Sequence, residues 1–215
     1  MPEIALFLYQ GMTALDAIGP YEVLARIPDA EVKFVATKPG PVETDVGLVL
    51  IADSSLDDAP APDVIVIPGS GKVPFLDDPA AIEWVRQAHT TSQWTTAVCT
   101  GSMLLAAAGV LEGKRATSHW AVREHLSRFG AFPVSDRVVV EGKVITAAGV
   151  SAGIDMALTL AASMTDEAEA RALQLVIEYD PQPPFDSGAL EKADPSTVRR
   201  ATELLRSGVS EPAVR

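Results

Sequence analysis

Four short strand-like runs, set apart by segments with helix signals, restrict this chain to one class of fold. Val32–Ala36, Asp63–Pro68 and the β-branched stretch from Trp94 to Cys99 read as strands, and Ile4–Tyr9 is a continuous apolar run. A strand without alternation is covered on both faces, as in a parallel sheet with helices above and below. Strands alternating with helices predict a single-domain α/β fold, a doubly wound, mostly parallel sheet flanked by helices. Such sheets bind ligands beyond the C-terminal ends of their strands. That rule selects three loops: after Tyr9, after Pro68 and at Cys99.

Between these runs the punctuation is specific. Thr13-Ala-Leu-Asp16 has the form of a capping box opening a helix that turns Val23, Leu24 and Ile27 inward, and Gly19-Pro20 should bend or restart that helix. A turn at Lys38–Pro41 leads to a pair of short strands around Gly47, within Val42–Ala52, and Asp57–Pro62 reads as a loop. Asp78-Pro79 supplies an N-cap and a first-turn proline for a helix to about His89. The helix after Cys99 ends near Leu111–Lys114, and Ala116–Ser118 forms a short strand. Trp120–Phe129 reads as a helix closed by Gly130, and Arg137–Thr146 as a hairpin turning at Glu141-Gly142. Helices follow over Ile154–Met164 and Asp166–Tyr179, then a proline-rich tail and a short polar helix from near Pro195. No repeat and no linker divides the chain. Residues 1–188 are expected to form the catalytic unit, and 189–215 a C-terminal tail with a short helix.

Composition excludes several classes. With 47% hydrophobic and 21% charged residues among 215, a sizeable core can be buried. A net charge of −12 opposes binding to nucleic acid, and Arg199, Arg200 and Arg206 near the end are diluted by Glu203 and Glu211. No segment reaches the roughly 18 consecutive apolar residues of a membrane span. The start, Met-Pro-Glu-Ile, lacks the basic region of a signal peptide, so a soluble cytoplasmic protein is expected. One cysteine permits no internal disulfide. His89, His119 and His125 have no metal-ligand spacing with a carboxylate, and Gly69–Gly71 lacks the third glycine of a dinucleotide loop. No metal and no cofactor is expected.

Chemistry centres on Trp94–Gly109, where the strand changes to a helix at Cys99. Ala97 and Gly101 flank Cys99 with the small residues that a tight strand–turn–helix elbow needs. There a helix N-terminus would stabilise a thiolate, unless Cys99 is simply a small buried hydrophobe. Asp16, on the same sheet edge, is either its acid/base partner or the third residue of the capping box. Thr100 offers an N–H to polarise a substrate and a hydroxyl to relay a proton, or merely begins a helix. Gly69 and Ser70 could converge their amides into an anion-stabilising pocket, or form an ordinary turn. His119 is a tempting base for a Cys–His pair, with helix capping or a buried hydrogen bond as the alternative.

Leu15-Asp16-x-x-Gly19-Pro20-x-Glu22-Val23, Val66-Ile-Pro-Gly69 and Val98-Cys99-Thr100-Gly101-Ser102, in that order, resemble the ThiJ/PfpI superfamily, with its class I glutamine amidotransferase-like fold. Ala108-Gly-x-Leu-x-Gly-Lys-Arg-Ala-Thr-x-His119-Trp120, Gly149-Val-x-Ala-Gly-Ile-Asp155 and Gln174-Leu-x-x-Glu178-Tyr-x-Pro-x-Pro-Pro-Phe185 look closest to its isocyanide hydratase branch. The resemblance implies a homodimeric hydro-lyase that adds water to an isocyanide, giving an N-substituted formamide through a thioimidate on Cys99. It implies Asp16 as the acid/base, with Thr100, Gly69 and Ser70 positioning substrate and the Gly149-Val150 loop packed beside the nucleophile. Peptidase-like and glyoxalase-like members usually place His after the nucleophile and Glu at the early acidic position; here those positions are Thr100 and Asp16. Cys and Asp suit a reaction without an amine leaving group. Ser70 stands where a second glycine is common, which could narrow or re-aim the amide pocket. The alternatives are a redox-sensing or non-catalytic stress protein, a glyoxalase or deglycase, and the sensor half of an AraC-type regulator. Length and charge count against the regulator.

Overall fold

The structure, a computed structural model, describes residues 1–207. Its elements run β1 (Glu3–Phe7), α1 (Ala14–Leu24), β2 (Glu31–Ala36), β3 (Gly40–Glu43), β4 (Val49–Ala52), β5 (Ser54–Ser55), β6 (Val64–Ile67), α2 (Pro79–Thr91), β7 (Trp94–Val98), α3 (Gly101–Ala107), β8 (Arg115–Ala116), β9 (Phe132–Pro133), β10 (Val138–Glu141), β11 (Val144–Ala147), α4 (Ala152–Met164), α5 (Glu167–Val176) and α6 (Pro195–Ser207). A seven-stranded sheet has the order β10-β11-β7-β6-β1-β2-β5, parallel throughout except for β10 on its edge.

The apolar runs divide by alternate residues between two cores. Ile4, Leu6, Val64, Val66 and Val98 face α1 and α4. Ala5, Phe7, Ile65, Ile67 and Ala97 face α2 and α3. Each strand is therefore buried on both sides, which accounts for the missing polar alternation. β1, β6 and β7 are neighbours at the centre, so the three loops expected to bind ligand meet at one edge. Each fully buried aliphatic side chain in this sandwich is worth about 1.5–3 kcal/mol relative to exposure.

Asp78 caps α2 as expected, its Oδ1 accepting from the amides of Ala80 and Ala81. The β3–β4 hairpin and the β10–β11 hairpin also form. Three local expectations are corrected. The capping box at Thr13 does not form: the Thr13 hydroxyl donates to Asp45 Oδ2 at 2.8 Å, and no side chain caps the helix. Gly19-Pro20 does not restart α1, which runs unbroken from Ala14 to Leu24. Packing against α4 holds it there, because a Cβ on Gly153 would stand 3.2 Å from Pro20 Cγ and Cδ, and one on Gly19 3.2 Å from Ile154 Cγ1. Glycine on both helices is what permits this approach. The helix expected over 120–129 is a 3₁₀ segment, Arg123–Phe129, closed by Gly130 in the left-handed region at φ 76°. Glu211 and the end of the expected 189–215 tail, residues 208–215, lie outside the described residues.

Candidate active site

Cys99 sits on an elbow that its own backbone would not choose. Its φ is +59°, a left-handed conformation that costs a non-glycine residue about 1–3 kcal/mol. Four hydrogen bonds hold it. Its N–H donates to the carbonyls of Ala147 at 3.1 Å and Ala148 at 3.0 Å, and its carbonyl accepts from Ser102 Oγ at 3.0 Å and Ser118 Oγ at 2.9 Å. Gly101 makes the turn sterically possible, since a Cβ there would lie 2.2 Å from the Ile67 carbonyl oxygen.

Asp16 is fully buried and reaches this elbow from α1. Its Oδ2 accepts from the Gly69 amide at 2.9 Å, while Gly69's carbonyl accepts from the Thr13 amide at 2.9 Å. This reciprocal clasp fixes the start of α1 to the loop after β6. Gly69 is closely packed within it, as a Cβ there would stand 2.5 Å from Thr100 N and 2.9 Å from Asp16 Oδ2. Burial raises the Asp16 carboxyl from 3.8 to about 7, against the lowering effect of its hydrogen bonds with Gly69 and Cys99; Asp45 raises it further. Burial pushes the Cys99 thiol strongly upward, and the Asp16 charge adds to the rise. The amides of Val150 and Thr100 pull the other way and do not prevail. Against the pull of a helix N-terminus toward thiolate, burial and Asp16 favour the thiol form, beside a carboxyl of near-neutral pKa.

Two expected roles meet bonds within the site. The Thr100 hydroxyl donates to the Ser70 carbonyl at 2.8 Å and accepts from the Ser70 amide at 2.7 Å, bracing the loop after β6. The Gly69 and Ser70 amides, expected to face a substrate, are engaged by Asp16 and Thr100 instead. The amides that bear on Cys99 are those of Thr100 and Val150. Val150 is itself held at φ +37°, and Gly149 beside it lies against His119: a Cβ on Gly149 would be 2.6 Å from His119 Cδ2. His119 Nδ1 accepts from the Ala121 amide at 3.3 Å, in the turn before the 3₁₀ segment Arg123–Phe129, which no side chain caps, and burial lowers its pKa.

The structure adds Tyr9, which ends the first apolar run just before a candidate loop. Its hydroxyl donates to the Pro68 carbonyl at 3.1 Å, and its ring stacks on Phe7 and meets Phe75 edge-on. Its position at the C-terminal end of an apolar run was the available signal. Ser118 also contributes, through Cys99's carbonyl, and only the tertiary fold could reveal that. Among the described residues there is no group of three or more His, Cys, Asp and Glu that could hold a metal ion, and no helix long and apolar enough to cross a membrane.

The Asp16 shift carries a signed stability prediction. Folded Asp16 keeps its proton to about pH 7, whereas the unfolded side chain loses it near 3.8. The folded state therefore binds the extra proton between these values, and stability falls across that window as pH rises, by about 4 kcal/mol for a shift of about three units. Asp16→Asn removes this titration. In urea denaturation the variant should gain on the wild type by roughly 2–3 kcal/mol more at pH 8 than at pH 5. An equal difference at both values would show that Asp16 is not a buried, proton-holding carboxyl.

The sequence matches the DJ-1/PfpI family over residues 2–163. It is 42% identical over 218 residues to an isonitrile hydratase of Pseudomonas putida, an alignment covering 98% of this chain and 96% of that protein. A crystal structure of a ThiJ/PfpI family protein from Pseudomonas syringae superposes with a TM-score of 0.89 at 34% identity, covering 97% of this chain and 89% of the other. An HTH-type transcriptional regulator of Pseudomonas aeruginosa is 29% identical over 145 residues, which span 66% of this chain and 41% of the regulator.

Proposed function

The chain belongs to the DJ-1/PfpI family, and on that premise we propose that it is an isonitrile hydratase, a lyase that adds water to R–N≡C to give R–NH–CHO. The observation that carries this reading is the pairing of Cys99 with the Asp16 carboxyl, with His119 turned to the Ala121 amide. Likeness to the Pseudomonas putida enzyme along almost the whole of both chains supports it.

The pair suits the chemistry. Forming a formamide requires that the terminal carbon of the isonitrile gain both a nucleophile and a proton. With Asp16 near pKa 7 and Cys99 far above it, the pair holds a single proton, on sulfur, once Asp16 ionises above about pH 7. Asp16 takes the thiol proton as sulfur bonds to the terminal carbon, then returns it to that carbon, giving the thioimidate R–N=CH–S. The Thr100 and Val150 amides bear on the sulfur and steady it through the transfer. Water then adds to the same carbon, with one of its protons passing through Asp16 to nitrogen. The C–S bond breaks, R–NH–CHO leaves, and the thiol recovers the remaining proton. Nothing is oxidised or reduced, which fits the absence of any cofactor from this reading. Cys99 is only 4% exposed, so a slender, linear N≡C group reaches it more readily than a branched carbonyl does.

Productive attack needs ionised Asp16 and protonated Cys99. The pH profile of kcat/KM for an alkyl isonitrile should therefore rise with an inflection near 7, set by Asp16. A profile flat from pH 5 to 9 would contradict Asp16 as the base.

The same burial weakens the redox-sensor alternative, since sensor cysteines are accessible and low in pKa. We further propose a homodimer in a reducing, cytoplasmic setting. Support comes from the β3–β4 hairpin, where Val46 is 83%, Val49 51% and Ile51 61% exposed, apolar surface suited to a second copy. The hairpin touches the site loops, as the Gly11 amide donates to Glu43 O and the Asp45 amide to Met12 O. Sedimentation of the purified protein as a monomer at micromolar concentration would remove the dimer from this account.

A further inference from the structure

At the centre of the site Asp16 Oδ1 is buried without a hydrogen-bond partner among the described residues, and Ser70 Oγ has none there other than the Tyr9 hydroxyl. Asp16 is 0% and Ser70 1% exposed. A buried polar atom left unpaired costs about 1–3 kcal/mol, so in native proteins such atoms meet ordered water or ligand. Thr117 Oγ1 is also unpaired, but its residue is tied through its amide to Thr146 Oγ1 and not to the Asp16 loop.

The backbone of Ser70 is held in the site. The Thr100 hydroxyl clamps both its amide and its carbonyl, so its Cα is fixed. Beside its side chain stands the Tyr9 hydroxyl. Tyr9's own proton is committed to the Pro68 carbonyl, and its ring is wedged between Phe7 and Phe75. The Tyr9 oxygen is left able to act only as an acceptor.

We propose that Ser70 Oγ and Asp16 Oδ1 together hold the water that hydrolyses the Cys99 thioimidate, with Tyr9 fixing the direction of the hydrogen bonds. The inference rests on the isonitrile hydratase reading and assigns the residues of its second half-reaction. Ser70 O–H donates to the Tyr9 oxygen, which turns a Ser70 lone pair toward the water. Water donates one proton to Ser70 Oγ and the other to Asp16 Oδ1. Its own lone pairs are then uncommitted and available to the thioimidate carbon. As the C–O bond forms, Asp16 takes the proton that it holds by hydrogen bond and delivers it to nitrogen. Collapse breaks C–S, releases the formamide and returns the last proton to sulfur. Formation of the thioimidate needs no water, so Ser70 acts as a positioning residue for the hydrolytic step alone.

The test separates the two steps. Wild type, Ser70→Ala, Ser70→Gly and Tyr9→Phe are mixed with excess alkyl isonitrile, quenched in acid at intervals and weighed by intact-protein mass spectrometry, with formamide measured in parallel. Both Ser70 variants should form the adduct, one isonitrile mass per chain, within about twofold of the wild-type rate, and should hydrolyse it roughly tenfold more slowly, as expected for one lost hydrogen bond of about 1.4 kcal/mol. The adduct then accumulates, which a general loss of structure would not produce. Tyr9→Phe keeps the ring packing and should show the same accumulation to a smaller degree. Should Ser70→Ala fail to fold, Ser70→Gly and Tyr9→Phe give the same readout. Adduct decay at the wild-type rate in the variants overturns the Ser70 assignment while leaving the hydratase reading intact. A wild-type protein yielding neither adduct nor formamide removes the hydratase reading, and this inference with it.

Discussion

Cys99→Ala is expected to abolish formamide production, lowering kcat/KM by at least ~10⁴-fold, the scale of losing a catalytic nucleophile. The polar side chains that border the elbow are committed elsewhere. Ser102 and Ser118 donate their hydroxyls to the Cys99 carbonyl, and Thr100 donates its hydroxyl to Ser70. His119 accepts from the Ala121 amide. The fold should persist, because the four hydrogen bonds that hold the elbow involve the backbone of residue 99 and not its sulfur. A shift in stability within about 1.5 kcal/mol is expected, as for a small change in side-chain volume. The informative result is thus an intact, inactive protein that gains no mass from isonitrile. A Cys99→Ala protein retaining a tenth of wild-type activity would place the reaction elsewhere.

Gly101→Ala should have the largest effect on stability. The added Cβ would meet the Ile67 carbonyl oxygen at 2.2 Å and that of Pro68 at 2.8 Å. Both belong to the end of a central strand, where no flexible side chain can give way. Overpacking ordinarily costs about 1–3 kcal/mol, and a backbone clash of this depth belongs at or above the top of that range. For a chain of this size each kcal/mol moves Tm by about 2–4 °C, so a drop of roughly 10 °C is expected in calorimetry. Gly188→Ala is the matched control: nothing lies within 4 Å of its added Cβ, and its Tm should stay near the wild-type value. Equal Tm values for the two variants would mean that the elbow and the β6 strand end are not packed as described.

The sheet was legible because each central strand announces itself as an apolar run, and the cause is simple: residues such as Ile4 and Ala5 point into different cores and both are buried. Strand ends then located Cys99 and Asp16 without any contact information. What the chain did not disclose depends on distant partners. Pro20 passes through α1 because Gly153, more than a hundred residues away, leaves room for it. The 3₁₀ character of Arg123–Phe129 is a choice between two closely related ladders that local propensity barely separates. The amides of Gly69 and Ser70 lie where the sequence suggested, yet Asp16 and Thr100 engage them. The ionisation of Cys99 was not legible for a similar reason. A helix start favours a thiolate, but the burial and the neighbouring Asp16 that outweigh it appear only when the strands are assembled.

The central claim is that this thiol and carboxyl turn over an isonitrile. The most direct measurement incubates the purified protein with an alkyl or aryl isonitrile and counts formamide molecules formed per chain, with a parallel sample exposed to peroxide and read for oxidation at Cys99. The account predicts many formamides per chain, and slow peroxide oxidation of the buried thiol. No formamide, with rapid stoichiometric conversion of Cys99 to the sulfinate, would contradict it and favour a redox sensor.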